Sequence, residues 1–178
     1  MKKTILAFLA GATLLASCAQ SNEYVIHGTV TNMDLEGAKI FLVPLENFSL
    51  ETLDSTYVHN QTFEFRGTEE RMADIRIERL KRIGTETLLV VTEPGETHVT
   101  IGQVSSGRGT PQNDSLQVWK NLTKDYYQKA ASLNRQDRKE EAAALRESYA
   151  ARSRQMASNV GEESTLGIFL NSRFPENN

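Results

Sequence analysis

The chain has 178 residues, of which 39% are hydrophobic and 24% charged, and its formal net charge is −3 at neutral pH. That size suits one domain, or a domain with a small appendage, and the acidic balance excludes the concentrated basic face that nucleic-acid binding requires. A single cysteine, Cys18, excludes an intrachain disulfide and a Cys-x-x-Cys redox pair within this chain.

Lys2 and Lys3 open the chain, and Ile5 to Leu15 follow as an apolar run broken only by Gly11 and Thr13. A membrane-spanning helix needs roughly 20 apolar residues, so this run is too short to span. A basic start, a short apolar stretch and small residues at its end are the parts of a secretory signal peptide. Leu15-Ala16-Ser17-Cys18 resembles the lipobox of bacterial lipoproteins. The resemblance implies cleavage between Ser17 and Cys18, a diacylglyceryl group on the Cys18 sulfur, and acylation of the new amine. Several acyl chains hold firmly, because each buried CH₂ adds about 0.8 kcal/mol. Removal of Lys2 and Lys3 leaves the body more acidic still, so acyl chains rather than charge are expected to hold it at an anionic bilayer. Ala19 to Asn22 form a short polar tether with no acidic residue before Glu23, which favours a periplasm-facing position.

From Glu23 to about Gly102 the apolar residues recur every second position, the period of a strand. Tyr24, Ile26, Gly28 and Val30 alternate with Val25, His27 and Thr29. Asn32 to Gly37 is a turn-forming stretch. Ile40 to Val43 is wholly apolar, as in a strand covered on both faces, and Pro44 ends it. Asn47 to Leu53 reads as a loop. Ser55 to Val58 and Phe63 to Arg66 flank His59–Thr62 as the arms of a hairpin. Ala73, Ile75 and Ile77 alternate with Asp74, Arg76 and Glu78, and Lys81 to Gly84 turn the chain. Leu88 to Val91 is a second wholly apolar run. Glu93-Pro94-Gly95-Glu96 is a turn, with proline fixing φ and glycine permitting positive φ. Val99 and Ile101 mark a last strand. About seven short strands between turns predict an antiparallel sandwich or barrel-like domain.

Ser105 to Gly109 form a Ser/Gly-rich break, after which the period changes to that of a helix. Leu116, Trp119, Leu122, Tyr126, Ala130 and Leu133 give one apolar stripe. Thr110 with Pro111, or Asp114 with Gln117, are its candidate starts. Asn134 to Gln136 is a short turn. Ala142, Leu145, Tyr149, Met156 and Val160 mark a second helix, stopped at Gly161. A short third helix spans 165–173 after Ser164. The expected fold is therefore mainly β, an antiparallel domain over 23–109 followed by a helical hairpin and terminal helix over 110–178. Residues 1–17 are read as the signal peptide and 18–22 as the lipidated cysteine and tether.

The succession of lipobox, Tyr24-Val25-Ile26-His27-Gly28, Ile40-Phe41-Leu42, Asp54-Ser55-Thr56, Phe63-Glu64-Phe65-Arg66-Gly67, Glu93-Pro94-Gly95-Glu96 and Asn113-Asp114-Ser115 resembles a domain of unknown function. That domain occurs in envelope lipoproteins, most often ahead of a thioredoxin-like thiol-disulfide oxidoreductase domain. The resemblance covers Glu23 to roughly Leu116. Gln61 stands where the hairpin commonly has glycine. The chain ends at Asn178, about where the oxidoreductase domain would begin, so that activity is not carried over.

Few residues suggest chemistry. His27, His59 and His98 are the only histidines, none at a metal-ligand spacing, and each is read as solvated; no metal or cofactor is expected. Asp54-Ser55 has no partner histidine for a triad. Glu93 and Glu96 are read as solvated turn charges rather than a glycosidase pair. Trp119, Tyr126 and Tyr127 are sugar-stacking residue types, but the first two lie on the apolar helix stripe and are assigned to packing. Gly107-Arg108-Gly109 lacks the ending of a phosphate loop. Asp54-Ser55-Thr56 and Asp114-Ser115-Leu116 resemble the acceptor triplet of a bacterial periplasmic O-glycosylation system, making Ser55 and Ser115 candidate acceptors. The expected protein is a non-enzymatic module anchored through Cys18 to the outer membrane of a Gram-negative envelope, holding a protein partner. Two further readings are an accessory to a separate thioredoxin-like oxidoreductase and a glycan-binding lipoprotein.

Overall fold

The computed structural model describes residues 22–47, 49, 51, 53–78 and 84–176. Ser17, Cys18 and the rest of 1–21 lie outside the described residues, as does most of the turn read at Lys81–Gly84. Eight strands come first: β1 (Tyr24–Val30), β2 (Lys39–Pro44), β3 (Asp54–Tyr57), β4 (Thr62–Gly67), β5 (Met72–Ile77), β6 (Leu88–Val91), β7 (Gly95–Ile101) and β8 (Ser106–Arg108). Three helices follow: α1 (Pro111–Arg135), α2 (Lys139–Val160) and α3 (Thr165–Arg173). With α1 and α2 at 25 and 22 residues, the architecture is mixed α/β with a sheet-rich N-terminal part, not mainly β.

The strands form two four-stranded sheets, in the orders β4-β1-β7-β8 and β3-β2-β5-β6. Inward side chains of both sheets, among them Ile26, Ile40, Leu42, Phe65, Ile75, Val90 and Ile101, share one hydrophobic cluster. β1 realises the expected alternation: Tyr24, Ile26, Gly28 and Val30 are buried, while Val25, His27 and Thr29 are not. Gly28 is required by a neighbour. A Cβ there would lie 2.0 Å from Phe63 Cζ, so the Phe63 ring occupies the space a side chain would take.

Three expectations are corrected. β1 and β7 run parallel, Tyr24 opposite Gly95 through Val30 opposite Ile101, so the sheets are not wholly antiparallel. Their connection is the long path through β2 to β6, which parallel pairing requires. β3 and β4 are not arms of one hairpin; they belong to different sheets, and the turn between them is closed by a bridge between His59 and Thr62. Asn60 and Gln61 between them have φ of 51° and 60°, the left-handed pair of a type I′ turn, a conformation that glycine adopts at least cost. The Glu36 carboxylate accepts the backbone N–H groups of Asn60 (3.0 Å) and Gln61 (3.1 Å), which holds its pKa below the usual carboxylate value. β2 is covered on one face only, with Ile40 and Leu42 buried and Lys39, Phe41 and Val43 half-buried. Lys39 lies over the Phe41 and Tyr57 rings and shields that outer face.

β8 falls inside the Ser/Gly-rich break and pairs antiparallel with β7 through Val99 and Gly107. α1 begins where Thr110-Pro111 predicts: Thr110 is extended, and proline occupies the first turn, where its missing N–H costs nothing. α2 ends at Gly161, whose φ of 101° no longer continues a helix. The Ser164 hydroxyl accepts the Gly167 N–H at 3.0 Å and caps α3. A second cluster, Met72, Val91, Leu116, Trp119, Ala157, Leu166 and Leu170, packs the helices onto β5 and β6.

Candidate binding cleft

The first three turns of α1 fasten the edges of both sheets. Asn113 is 2% exposed; its Oδ1 accepts the Val91 N–H at 2.9 Å, and its Nδ2 donates to Val91 O at 2.7 Å. Its amide therefore pairs β6 as a further strand would. Gln117 Oε1 accepts the Gly107 N–H of β8 at 3.0 Å. Lys120 Nζ donates to Leu89 O at 3.2 Å. Glu93, read from the sequence as solvated, is instead buried: its Oε1 accepts the Gln112 and Asn113 N–H groups at 2.7 and 3.1 Å. A carboxylate at a helix N-terminus satisfies donors that have no partner inside the helix. Gln112 Oε1 also accepts the Leu166 N–H at 2.9 Å, joining α1 to the start of α3.

Burial pushes the Lys120 pKa down to about 8, partly offset by the carboxylate of Glu86. Between pH 8 and its ordinary value of 10.5, the unfolded chain holds this proton more tightly than the folded one. Stability from this group therefore rises with pH through that window, and the buried ammonium is a liability below it. Lys120→Met is expected to stabilise the protein by about 1–2 kcal/mol at pH 7, allowing for partial exposure and the lost hydrogen bond. The gain should shrink at pH 9.5; urea midpoints at the two values check it, and an unchanged gain refutes the assignment.

Beyond Leu122, α1 leaves the sheets and pairs with α2. Between them lies a cleft of about 520 Å³, closed at one side by Phe174 after α3. Tyr126 and Tyr149 stack in parallel across it, centroids 4.3 Å apart and planes 7° apart. Phe174 meets Tyr149 edge-on at 5.2 Å. Thr123 Oγ1 and Tyr149 Oη lie 2.8 Å apart, and Trp119 Nε1 donates to Ser153 Oγ at 3.2 Å, so the polar atoms of Tyr149 and Trp119 are paired. Burial raises the Tyr149 pKa above its usual value. Arg146, Arg154 and Arg173 line the same cleft, with Glu147. The Arg173 guanidinium lies 4.4 Å from the centre of the Phe169 ring.

The packing assignment of Trp119 holds: it is 8% exposed. Tyr126 is half-buried and gives one ring face to Tyr149, whereas Tyr127 is 64% exposed at the rim. The three arginines were not singled out from the sequence. Their signal is present, since Arg146, Ala150 and Arg154 fall on one helix face at intervals of four, but Arg173 reaches them only through the fold.

The other candidates are scattered or structural. The parallel pairing sets His27 directly beside His98, rings stacked at 5.2 Å, and His27 Nδ1 lies 3.1 Å from Glu64 Oε2. These and His59 line an open depression of about 600 Å³. Among the described residues no three His, Cys, Asp or Glu side chains are grouped to hold a metal. Asp54 Oδ1 accepts the Ser55 N–H at 2.7 Å; Ser55 is exposed on the edge strand β3, and Ser115 is half-buried in α1. The Gly107 and Gly109 N–H groups are taken by Gln117 and Asp114, leaving neither to cradle a phosphate. No described helix is long and apolar enough to cross a membrane.

Fold and cleft together define a mixed α/β protein in which two sheets are clamped by a helical hairpin. The family model described as Domain of unknown function (DUF4369) matches residues 24–116, just over half of the chain, and the chain belongs to that family. The match starts at the first residue of β1 and ends inside α1, so it takes in the eight strands together with Glu93 and Asn113. No curated protein and no solved structure matches the chain.

Proposed function

We propose that the protein is a lipid-anchored module of the bacterial cell envelope, non-enzymatic, which holds a protein partner through its helical hairpin. The resemblance of Leu15 to Cys18 to a lipobox supports the anchor, and the residues matched by the family model take in all eight strands of the β-rich part. Its β part is read as a sandwich, because the inward residues of both sheets meet in one cluster. Ser55, on an exposed edge, is the more accessible of the two candidate glycosylation acceptors.

The observation that carries the reading is the direction of α1. Glu23, where the tether enters, accepts the Gly95 N–H at 3.0 Å, beside the Glu93 that caps α1. α1 therefore starts at the tethered end. It passes Val91 at Asn113 and Leu89 at Lys120, running away from that end. Its 25 residues extend about 38 Å at 1.5 Å each. An anchor at Cys18 would hold the sheets near the bilayer while the hairpin reaches outward.

A photo-crosslinking side chain at Tyr127, on the hairpin, is expected to give a discrete adduct in intact cells. The same group at Tyr57, on the sheet face, should give background only. Equal labelling from both positions, or none from Tyr127, removes the hairpin as the contact surface.

A further inference from the structure

We propose that the cleft between α1 and α2 binds an acidic, aromatic-bearing polypeptide segment of the partner; this rests on the reading that the hairpin is the contact surface. The charge is local and opposite to that of the body. Arg146, Arg154 and Arg173 line the cleft, and Glu147 is the one carboxylate among its lining residues. Glu147 lies 3.7 Å from Arg146. Among the described residues Arg154 and Arg173 form no ion pair with a carboxylate. The chain as a whole carries −3, so an acidic segment is repelled elsewhere and drawn here. Guanidinium groups suit carboxylates because their fork of donors matches two oxygens at once. Arg173, resting on Phe169, loses less freedom on binding than an unsupported arginine would.

The walls add an apolar requirement. Tyr127 stands exposed beside the Tyr126–Tyr149 stack, and tyrosine and arginine are the residue types that dominate binding energy at protein interfaces. A cleft of about 520 Å³ admits a few side chains, not a folded surface. Position argues against a lipid headgroup. Trp119 and Tyr126 lie eight and fifteen residues past Pro111, about 12 and 22 Å along the helix from the tethered end.

The probe is a fluorescein-labelled peptide repeating Glu-Phe-Asp-Tyr, titrated by anisotropy with the lipidated chain in non-ionic detergent. It is expected to bind at least about tenfold more tightly than its Gln-Phe-Asn-Tyr counterpart, a difference of about 1.4 kcal/mol, and to weaken with added salt. Arg154→Gln together with Arg173→Gln should remove that preference. Arg154→Lys with Arg173→Lys should keep part of it, and Arg138→Gln, at the hairpin turn, should leave it intact. Helical circular dichroism confirms that each variant is folded. Equal affinity for the two peptides, no binding of either, or indifference to the double glutamine variant overturns the proposal. So does arginine-dependent binding to phosphatidylglycerol vesicles in place of the peptide. If the peptide fails while Tyr127 still crosslinks a partner, only the chemistry assigned to the cleft is lost; if both fail, the hairpin reading falls with it.

Discussion

Asn113→Leu is expected to destabilise the protein by about 3–4 kcal/mol, more than any single surface change. Asn113 is 2% exposed, and it meets both the N–H and the C=O of Val91 on β6. Its Nδ2 also lies 2.9 Å from Thr110 Oγ1 and 3.3 Å from Thr97 Oγ1. Leucine keeps the volume but leaves two buried backbone groups without partners, and each such group costs about 1–3 kcal/mol. β6 is an edge of its sheet, so no neighbouring strand takes over. Asn113→Asp separates the two halves of the interaction. It retains an acceptor for the Val91 N–H but sets an oxygen against Val91 O, and should be at least as damaging. Urea unfolding with an unchanged slope and a lowered midpoint is the expected result. A loss under about 1 kcal/mol for both variants would mean that water reaches the β6 edge and that α1 is not its clamp.

This clamp also shows where a sequence stops being legible. Among the strands legible in the sequence, β1, β5 and β7 each set apolar residues on one face of a shared core, and alternation reports that directly. Helix ends at Thr110-Pro111, Gly161 and Ser164 were legible because capping is local chemistry. What was missed depends on partners distant in sequence. Alternation does not record strand direction, so the parallel pairing of β1 with β7 was invisible, and with it the stacking of His27 on His98. β3 and β4 look like a hairpin because the Asn60-Gln61 turn is a hairpin turn, although the strands then enter different sheets. β8 has three residues and is held by backbone pairing and the Gln117 side chain, which leaves no apolar pattern to read. Glu93 looked solvated because its turn is polar; only the arrival of α1 some twenty residues later buries it. The cleft was half legible: its tyrosines and Trp119 were singled out, but Arg146, Arg154 and Arg173 acquire meaning only when α2 and the end of α3 close on α1.

Cys18→Ala carries the largest expected effect on location: it should move the protein from the membrane to the aqueous phase in detergent phase separation. Each buried CH₂ contributes about 0.8 kcal/mol, one chain binds only marginally, and two or more make attachment effectively stable. The remainder of the molecule offers little substitute. Its formal charge is −3 with Lys2 and Lys3 counted, so an anionic surface repels it, and most of the described large apolar side chains are packed in the two clusters. The substitution lies in the segment before β1, so the thermal unfolding of the body should not change, which separates mislocalisation from misfolding. Wild-type protein recovered from membranes should begin at residue 18 and carry the mass of its acyl groups. A wild-type chain that begins at Met1, or that partitions into water without substitution, would refute the anchor. The outward reach of α1 would then have no membrane to be measured from.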